Sequence, residues 1–211
     1  MDIPWYSCYS LSNERSVERR DTMTAEGTKE RILKTALQMF SEKGYSAVSM
    51  RDISGAVGIR TSSIYYYFKG KQDIFDALIE QTELLKTGIK EGFAKALGDT
   101  KKVKKEDFVR VGKLFVTGYL QSEKIEPLLQ MLESERFHDH KADEMWKKML
   151  FTEPVENHTL TFQEMYKRGL IKEKDSARIA SEYQGIIVMG YFTGDIARLE
   201  DSLSAFYKRY F

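Results

Sequence analysis

The chain has 211 residues, 42% hydrophobic and 31% charged, a balance that excludes a disordered polymer and suffices for a buried core. Its 33 Lys and Arg against 32 Asp and Glu leave a net charge of +1, which excludes a bulk electrostatic drive onto nucleic acid or membrane and leaves charged partners to local patches. The longest apolar stretch, Gly185 to Phe192, is far short of the roughly 20 residues that span a bilayer, and the single cysteine, Cys8, excludes an internal disulfide. The first residues lack the basic start, apolar run and small-residue cleavage site of a secretory signal, so the expected location is cytoplasmic, with no membrane partner.

Only 3 prolines interrupt apolar residues that recur three and four apart, which predicts an all-α protein. Residues 1 to 27 depart from this: they mix Ser, Arg, Glu and isolated aromatics without period, carry a net charge of −2, and are predicted to be a disordered tail. Met23, just ahead of the first periodic segment, is a second candidate start.

From Thr28, residues Ile32, Leu33, Ala36, Leu37 and Phe40 share one helical face, and Gly44 follows as a C-terminal stop. Ser49 then reads as an N-cap with Asp52 three residues on, the spacing of a capping box, ahead of a short helix that carries Ile53, Ala56 and Val57. Gly58 and Ile59 make a turn, and a third short helix runs from about Thr61 to Phe68 and buries Ile64 and Phe68. Beyond Gly70 the predicted helices lengthen, to Lys71–Leu97, Glu106–Gln121, Ile125–Phe137, Lys141–Arg168 with a kink at Pro154, and Ser176–Glu200, with a short end piece from about Ser202. The boundaries that follow are a tail at 1–27, a unit of three short helices at 28–75 and a larger helical unit at 76–211.

Two short helices across a glycine turn match a helix-turn-helix, whose second helix enters the major groove. Residues 28 to 75 carry eight basic and four acidic side chains, a local +4 that the rest of the chain, at −3, offsets to a net +1. The third helix opens with Thr61, Ser62 and Ser63, short hydroxyl residues able to reach phosphates or base edges. Tyr65, Tyr66 and Tyr67 follow and sweep about 200° of helix surface, so that hydroxyls point outward while Ile64 and Phe68 bury. Lys71 opens the next helix, where a cation opposes the helix dipole unless a phosphate lies there, and Arg60 stands just ahead of the recognition helix, within reach of phosphate or guanine.

Together Ala36-Leu37 with Phe40, Gly44-Tyr45, Ser49-Met50-Arg51-Asp52-Ile53 and the run GIRTSSIYYYFKGK at 58 to 71 resemble the tetracycline-repressor (TetR) family of transcriptional regulators. The resemblance implies DNA contacts from Thr61, Ser62, Tyr65, Tyr66, Tyr67 and Lys71, with phosphate contacts near Ser49 and Arg51. It departs at Thr61 and Ser62, where the family often has lysine and glycine, so base preference does not transfer from relatives, and at Gly70, where a hydroxyl or amide residue would cap the following helix better.

In the larger half the resemblance rests on helix number and length, and it implies an interior site for a small-molecule effector and a homodimer formed through the last two long helices, which binds a palindromic operator on double-stranded DNA as a repressor. The aromatic and methionine residues Phe108, Phe115, Tyr119, Met131, Phe137, Trp146, Met149, Phe162 and Tyr166 are the candidates for a pocket lining. Ile179, Tyr183, Ile186, Ile187, Gly190 and Gly194 are the candidate dimer face, since small residues permit close approach.

An enzymatic reading has its best evidence in Glu135, His138, Asp139, His140 and Asp143, with Glu135 and His138 the better-spaced pair for a metal. No phosphate loop or nucleophile elbow is present. The expectation is therefore of no enzyme, no cofactor and no metal.

Overall fold

The computed structural model describes residues 25–81 and 102–211. The predicted tail, except for its last three residues, and the larger part of the helix predicted over 71–97 lie outside the described residues. Among those described there is helix and no strand.

Three short-range helices form the N-terminal unit: α1 (Ala25–Lys43), α2 (Met50–Val57) and α3 (Thr61–Tyr67). A fourth, α4, is helical over the described residues 71–81. α1 starts three residues before the predicted Thr28 and takes Gly27 into its first turn, where Ala25 and Glu26 favour helix and offset the glycine. It buries Ile32, Leu33, Ala36 and Phe40 as its periodicity predicts and stops at Gly44, whose φ of 82° closes the helix through an N–H to the Phe40 carbonyl at 2.9 Å.

The second unit comprises α5 (Lys105–Leu114), which widens into a π-helical turn at Phe115–Leu120, then α6 (Glu126–Glu135) and α7 (His140–Lys147). A second π-helical turn, Lys148–Thr152, joins α7 to α8 (Glu153–Lys167), so the break predicted at Pro154 is present as a change of helical winding just before the proline, which sits in the first turn of α8.

The helix predicted to run from Ser176 to Glu200 is instead two. α9 (Ser176–Thr193) ends where Gly194 turns left-handed at φ 64°, and Asp195 caps α10 (Ile196–Tyr210) by accepting the Arg198 N–H at 2.9 Å. The chain therefore doubles back, and α10 packs on both α5 and α9. Close approach is bought with glycine: a Cβ on Gly112 would lie 2.6 Å from Leu203 Cδ1, and one on Gly190 would lie 2.8 Å from Leu199 Cδ1.

This corrects the expected dimer face. Ile179, Tyr183, Ile187 and Gly190 are covered by the chain's own core, and Gly194 is a helix stop, which leaves Ile186 as the one half-exposed member of the six. Four of the seven leading pocket candidates, Phe108, Met131, Trp146 and Phe162, are likewise buried core. Phe108 stacks on Phe206 at 5.6 Å, and Phe162 meets Tyr183 edge-on at 5.9 Å. Phe115 and Tyr119 are half-buried, and Tyr166 is exposed.

His158 of α8 is set in this aromatic interior, edge-on to Tyr183 at 4.8 Å, with Nε2 3.2 Å from Gln184 Oε1. Burial disfavours the imidazolium and pushes its pKa down to about 4, against the smaller opposing effect of the Gln184 bond. Between the ordinary histidine pKa and about 4, the unfolded chain binds a proton that the folded chain does not, so stability falls as pH drops through that window. Denaturant titrations from neutral pH to about 4 are expected to show a loss of about 3 kcal/mol in the native chain that His158→Gln abolishes, and equal pH slopes in the two proteins would refute this.

Candidate nucleic-acid interface

The short helices are held in place by bonds made locally. Ser49 caps α2: its hydroxyl accepts the Asp52 N–H at 3.2 Å and donates to Asp52 Oδ2, which also accepts the Ser49 N–H at 2.9 Å. This is the capping box expected from the sequence, and the Ser49 bonds hold the Asp52 carboxyl below its ordinary pKa. At the other end of α2, Gly58 adopts φ 78° and the Ile59 N–H returns to the Ser54 carbonyl at 3.0 Å. Arg31, reaching from α1, donates to the freed Val57 carbonyl at 2.7 Å.

The buried Ser54 hydroxyl donates to the Arg51 carbonyl at 2.9 Å and lies 3.1 Å from the Thr61 hydroxyl, which ties α3 to α2 across the turn. Ile64 and Phe68 face inward as predicted. Outward, α3 presents Thr61, Ser62 and Ser63, with Tyr65 at 52% and Tyr66 at 81% exposure, while Tyr67 is half-buried and edge-on to Tyr66 at 5.2 Å. Ser49, Arg51 and Arg60 are exposed beside it. Nine of the ten candidate contacts thus share one end of the molecule with side chains wholly or partly available.

Lys71 behaves differently. Its ammonium donates to the Tyr45 carbonyl at 2.5 Å, lies 3.5 Å from the Ser46 carbonyl and sits 4.2 Å from the centre of the Tyr45 ring. Burial pushes its pKa down, opposed by the charge of Glu135. The cation that looks misplaced at a helix start is satisfied by the α1–α2 turn. The start of α4 is stabilised by Asp73, which accepts the Lys69 N–H at 2.8 Å.

Tyr45 is the point where the two units join. Its ring lies between Phe40 at 5.0 Å and Phe75 at 5.3 Å, its hydroxyl donates to Gln72 at 3.1 Å, and its N–H donates to Glu135 Oε1 at 3.1 Å. Glu135 is a buried carboxylate at the end of α6, which packs along α1. Sequence spacing pairs Glu135 with His138 as metal ligands. The structure uses the carboxylate as a backbone acceptor and leaves His138 exposed, and among the described residues no group of three or more His, Cys, Asp or Glu could hold a metal ion. The Glu135–Tyr45 bond spans 90 residues and carries no local signal that sequence reading could use.

A cleft of about 430 Å³ lies between α4 and α7, lined by Phe75, Asp76, Ile79, Lys141, Glu144, Met145 and Lys148. None of the predicted pocket residues lines it.

Two short helices fixed across a left-handed glycine, the second outward-facing and uncharged, define a helix-turn-helix. Residues 32–78 match the model of the bacterial regulatory proteins of the tetR family. Over 65 residues it is 37% identical to the HTH-type transcriptional regulator AcrR of Shigella flexneri, covering 31% of this chain and 30% of that protein. Over 52 residues it is 38% identical to IcaR of Staphylococcus epidermidis, a negative regulator of a biofilm operon, covering 25% of this chain and 28% of that one. The chain thus matches under a third of the length of either relative. The fold extends further: a TetR-family regulator of Mesorhizobium loti superposes with a TM-score of 0.67 over 91% of this chain and 96% of its own, at 21% identity.

Removing the Glu135 carboxylate leaves the Tyr45 N–H without its acceptor. Glu135→Ala is expected to lower unfolding free energy by about 1–3 kcal/mol, and Glu135→Gln, which keeps an acceptor oxygen, by less than about 1 kcal/mol, as read from urea midpoints. Equal losses in the two variants would remove the bond from any structural role.

Proposed function

We propose that the protein is a DNA-binding transcriptional regulator that acts as a homodimer on a palindromic operator and represses transcription until an effector binds. The observation that carries this reading is the α3 surface: hydroxyl and tyrosine side chains without charge, exposed on a frame fixed by the Ser49–Asp52 box and the Gly58 turn, with Arg51 and Arg60 alongside. Direct readout of base edges needs short polar and aromatic groups held in place, and flanking guanidinium groups supply the phosphate attraction. Repression is supported by likeness to a negative regulator. No helix among the described residues is long and apolar enough to cross a membrane, which is compatible with action on DNA in the cytoplasm.

In this reading Ser62, Ser63, Tyr65 and Tyr66 meet the major groove, Ser49, Arg51 and Arg60 meet phosphates, and Thr61 and Tyr67 do so while also bracing α3. Lys71 is a positioning residue, since its charge is occupied by the Tyr45 and Ser46 carbonyls. The homodimer forms through the outward faces of α9 and α10, where Gly185, Met189 at 61% exposure and Phe192 at 47% are uncovered. An effector in the larger half acts through α6, whose Glu135 holds the α1–α2 turn, and a coupling of about 1 to 3 kcal/mol corresponds to five- to 150-fold in operator affinity.

Selection from random DNA is expected to return a dyad-symmetric site. Against it, Arg51→Ala should reduce the salt slope of binding by about one unit per half-site, Ser62→Ala should change base preference, and Lys71→Ala should weaken binding while leaving the salt slope unchanged. Recovery of asymmetric sites, or an unaltered salt slope for Arg51→Ala, would contradict the assignment.

A further inference from the structure

A hydroxyl group has one proton to donate, so hydroxyls bonded in series have a direction. Ser54 is buried behind the turn between α2 and α3, with its Oγ 2.9 Å from the Arg51 carbonyl and 3.1 Å from Thr61 Oγ1. A carbonyl only accepts, so the single Ser54 proton goes to Arg51, and in the second bond Thr61 is the donor. Among the described residues Thr61 Oγ1 has no other hydrogen-bond partner. The Thr61 proton therefore points inward, and only lone pairs face outward. Turning that proton outward would leave the buried Ser54 oxygen without its donor.

Thr61 lies three residues before Ile64 and seven before Phe68, which sets its side chain towards the inner side of α3, yet it is exposed because it opens the helix. The first residues of a recognition helix are the ones that contact base edges. Ser62 and Ser63 beside it are exposed, and among the described residues their hydroxyls are bonded to nothing, so each is able to donate or accept and discriminates little. Thr61 alone of the three has a fixed polarity. A phosphate oxygen accepts only, and the Thr61 hydroxyl has no proton for it, which moves Thr61 from the phosphates to the bases. In the major groove the donors are adenine N6 and cytosine N4, whereas thymine O4, guanine O6 and the purine N7 atoms accept.

We infer that Ser54, buried out of reach of DNA, is a specificity-determining residue: by taking the Thr61 proton it makes Thr61 an acceptor that reads the exocyclic amino group of adenine or cytosine. The inference rests on the reading of α3 as a recognition helix and names what one of its side chains recognises. Thr61 touches the base, and Ser54 is a positioning residue that acts through it.

The test starts from the operator that the full chain selects out of random DNA. The base pair read by Thr61 is the one at which preference disappears in Thr61→Val, which keeps the methyl group and removes the hydroxyl. At that pair, deleting the amino group (purine for adenine, pyrimidin-2-one for cytosine) is expected to weaken binding by the unaltered protein about fivefold per half-site, the value of one net hydrogen bond. Deleting the carbonyl oxygen of the opposite base should weaken it by less than about twofold. Both deletions remove one Watson–Crick bond, so the effect on the duplex is matched, and the comparison needs no protein variant. Ser54→Ala returns the Thr61 proton to the surface. It should bind a site with a carbonyl in place of the amino group, hypoxanthine for adenine or uracil for cytosine, within about twofold of the original, against about fivefold for the unaltered protein. A Ser54 that only braced the turn would, when replaced, weaken both sites alike. Loss confined to deletion of the carbonyl, an unchanged ratio in Ser54→Ala, or uniform weakening on all sequences by Thr61→Val, the mark of a phosphate contact, would each overturn the assignment. A selected dyad site without an amino-dependent position refutes the assignment alone, and failure to select any site refutes the regulator as well.

Discussion

One residue, Tyr45, ties together the two halves of this molecule where α1 and α6 pack. The turn after α1 offers Tyr45 with both backbone polar groups pointing away from helical partners, and each is taken by a side chain from elsewhere: the N–H by Glu135 of α6, the carbonyl by Lys71 of α4. Opposite charges thus bind the N–H and the carbonyl of one residue, which belong to adjacent peptide units, and the charge of Glu135 favours the Lys71 ammonium against its burial. The ring of the same residue is wedged between Phe40 and Phe75, so the turn is held by packing as well as by charge. The helix-turn-helix stands on this turn, because Ser49 begins α2 four residues later.

What was legible in the sequence was local. Ser49 with Asp52, the glycines at 44 and 58, and Ile64 with Phe68 all act over three to five residues, and each element stands where its spacing predicts. The outward position of Tyr65 and Tyr66 follows from the same arithmetic, since helical geometry assigns the faces once Ile64 and Phe68 are buried. Arg31 on Val57 and Glu135 on Tyr45 bridge 26 and 90 residues, and no period marks either. Glu135 stands among histidines and acids that mimic a metal cluster, which draws attention from its use as a single acceptor.

The apolar stripe of α9 shows a different limit. Periodicity identifies Ile179, Tyr183, Ile187 and Gly190 as a face that must be covered, but a covering surface from the same chain and one from a second copy impose the same pattern. The decisive feature is the Gly194–Asp195 pair, which folds α10 back so that Leu199 fills the space above Gly190. Ile196, Leu199 and Leu203 continue the apolar rhythm across that break and conceal it. The π-helical turns are equally silent in sequence, because they depend on tertiary contacts such as Gln184 on Leu150 and not on residue preference.

The absence of any charged side chain in α3 reaches beyond specificity into kinetics. On the proposed reading, a helix of hydroxyls and phenol rings exerts little pull at a distance, so a molecule drifting over DNA would be held by the cations flanking it, loosely and with frequent release. Short-range contacts add their strength only once the groove is entered and the fit is correct. On that reading a surface divided in this way would separate travelling from recognising: the cations would govern how fast the molecule moves from site to site, and the tyrosine face where it stops.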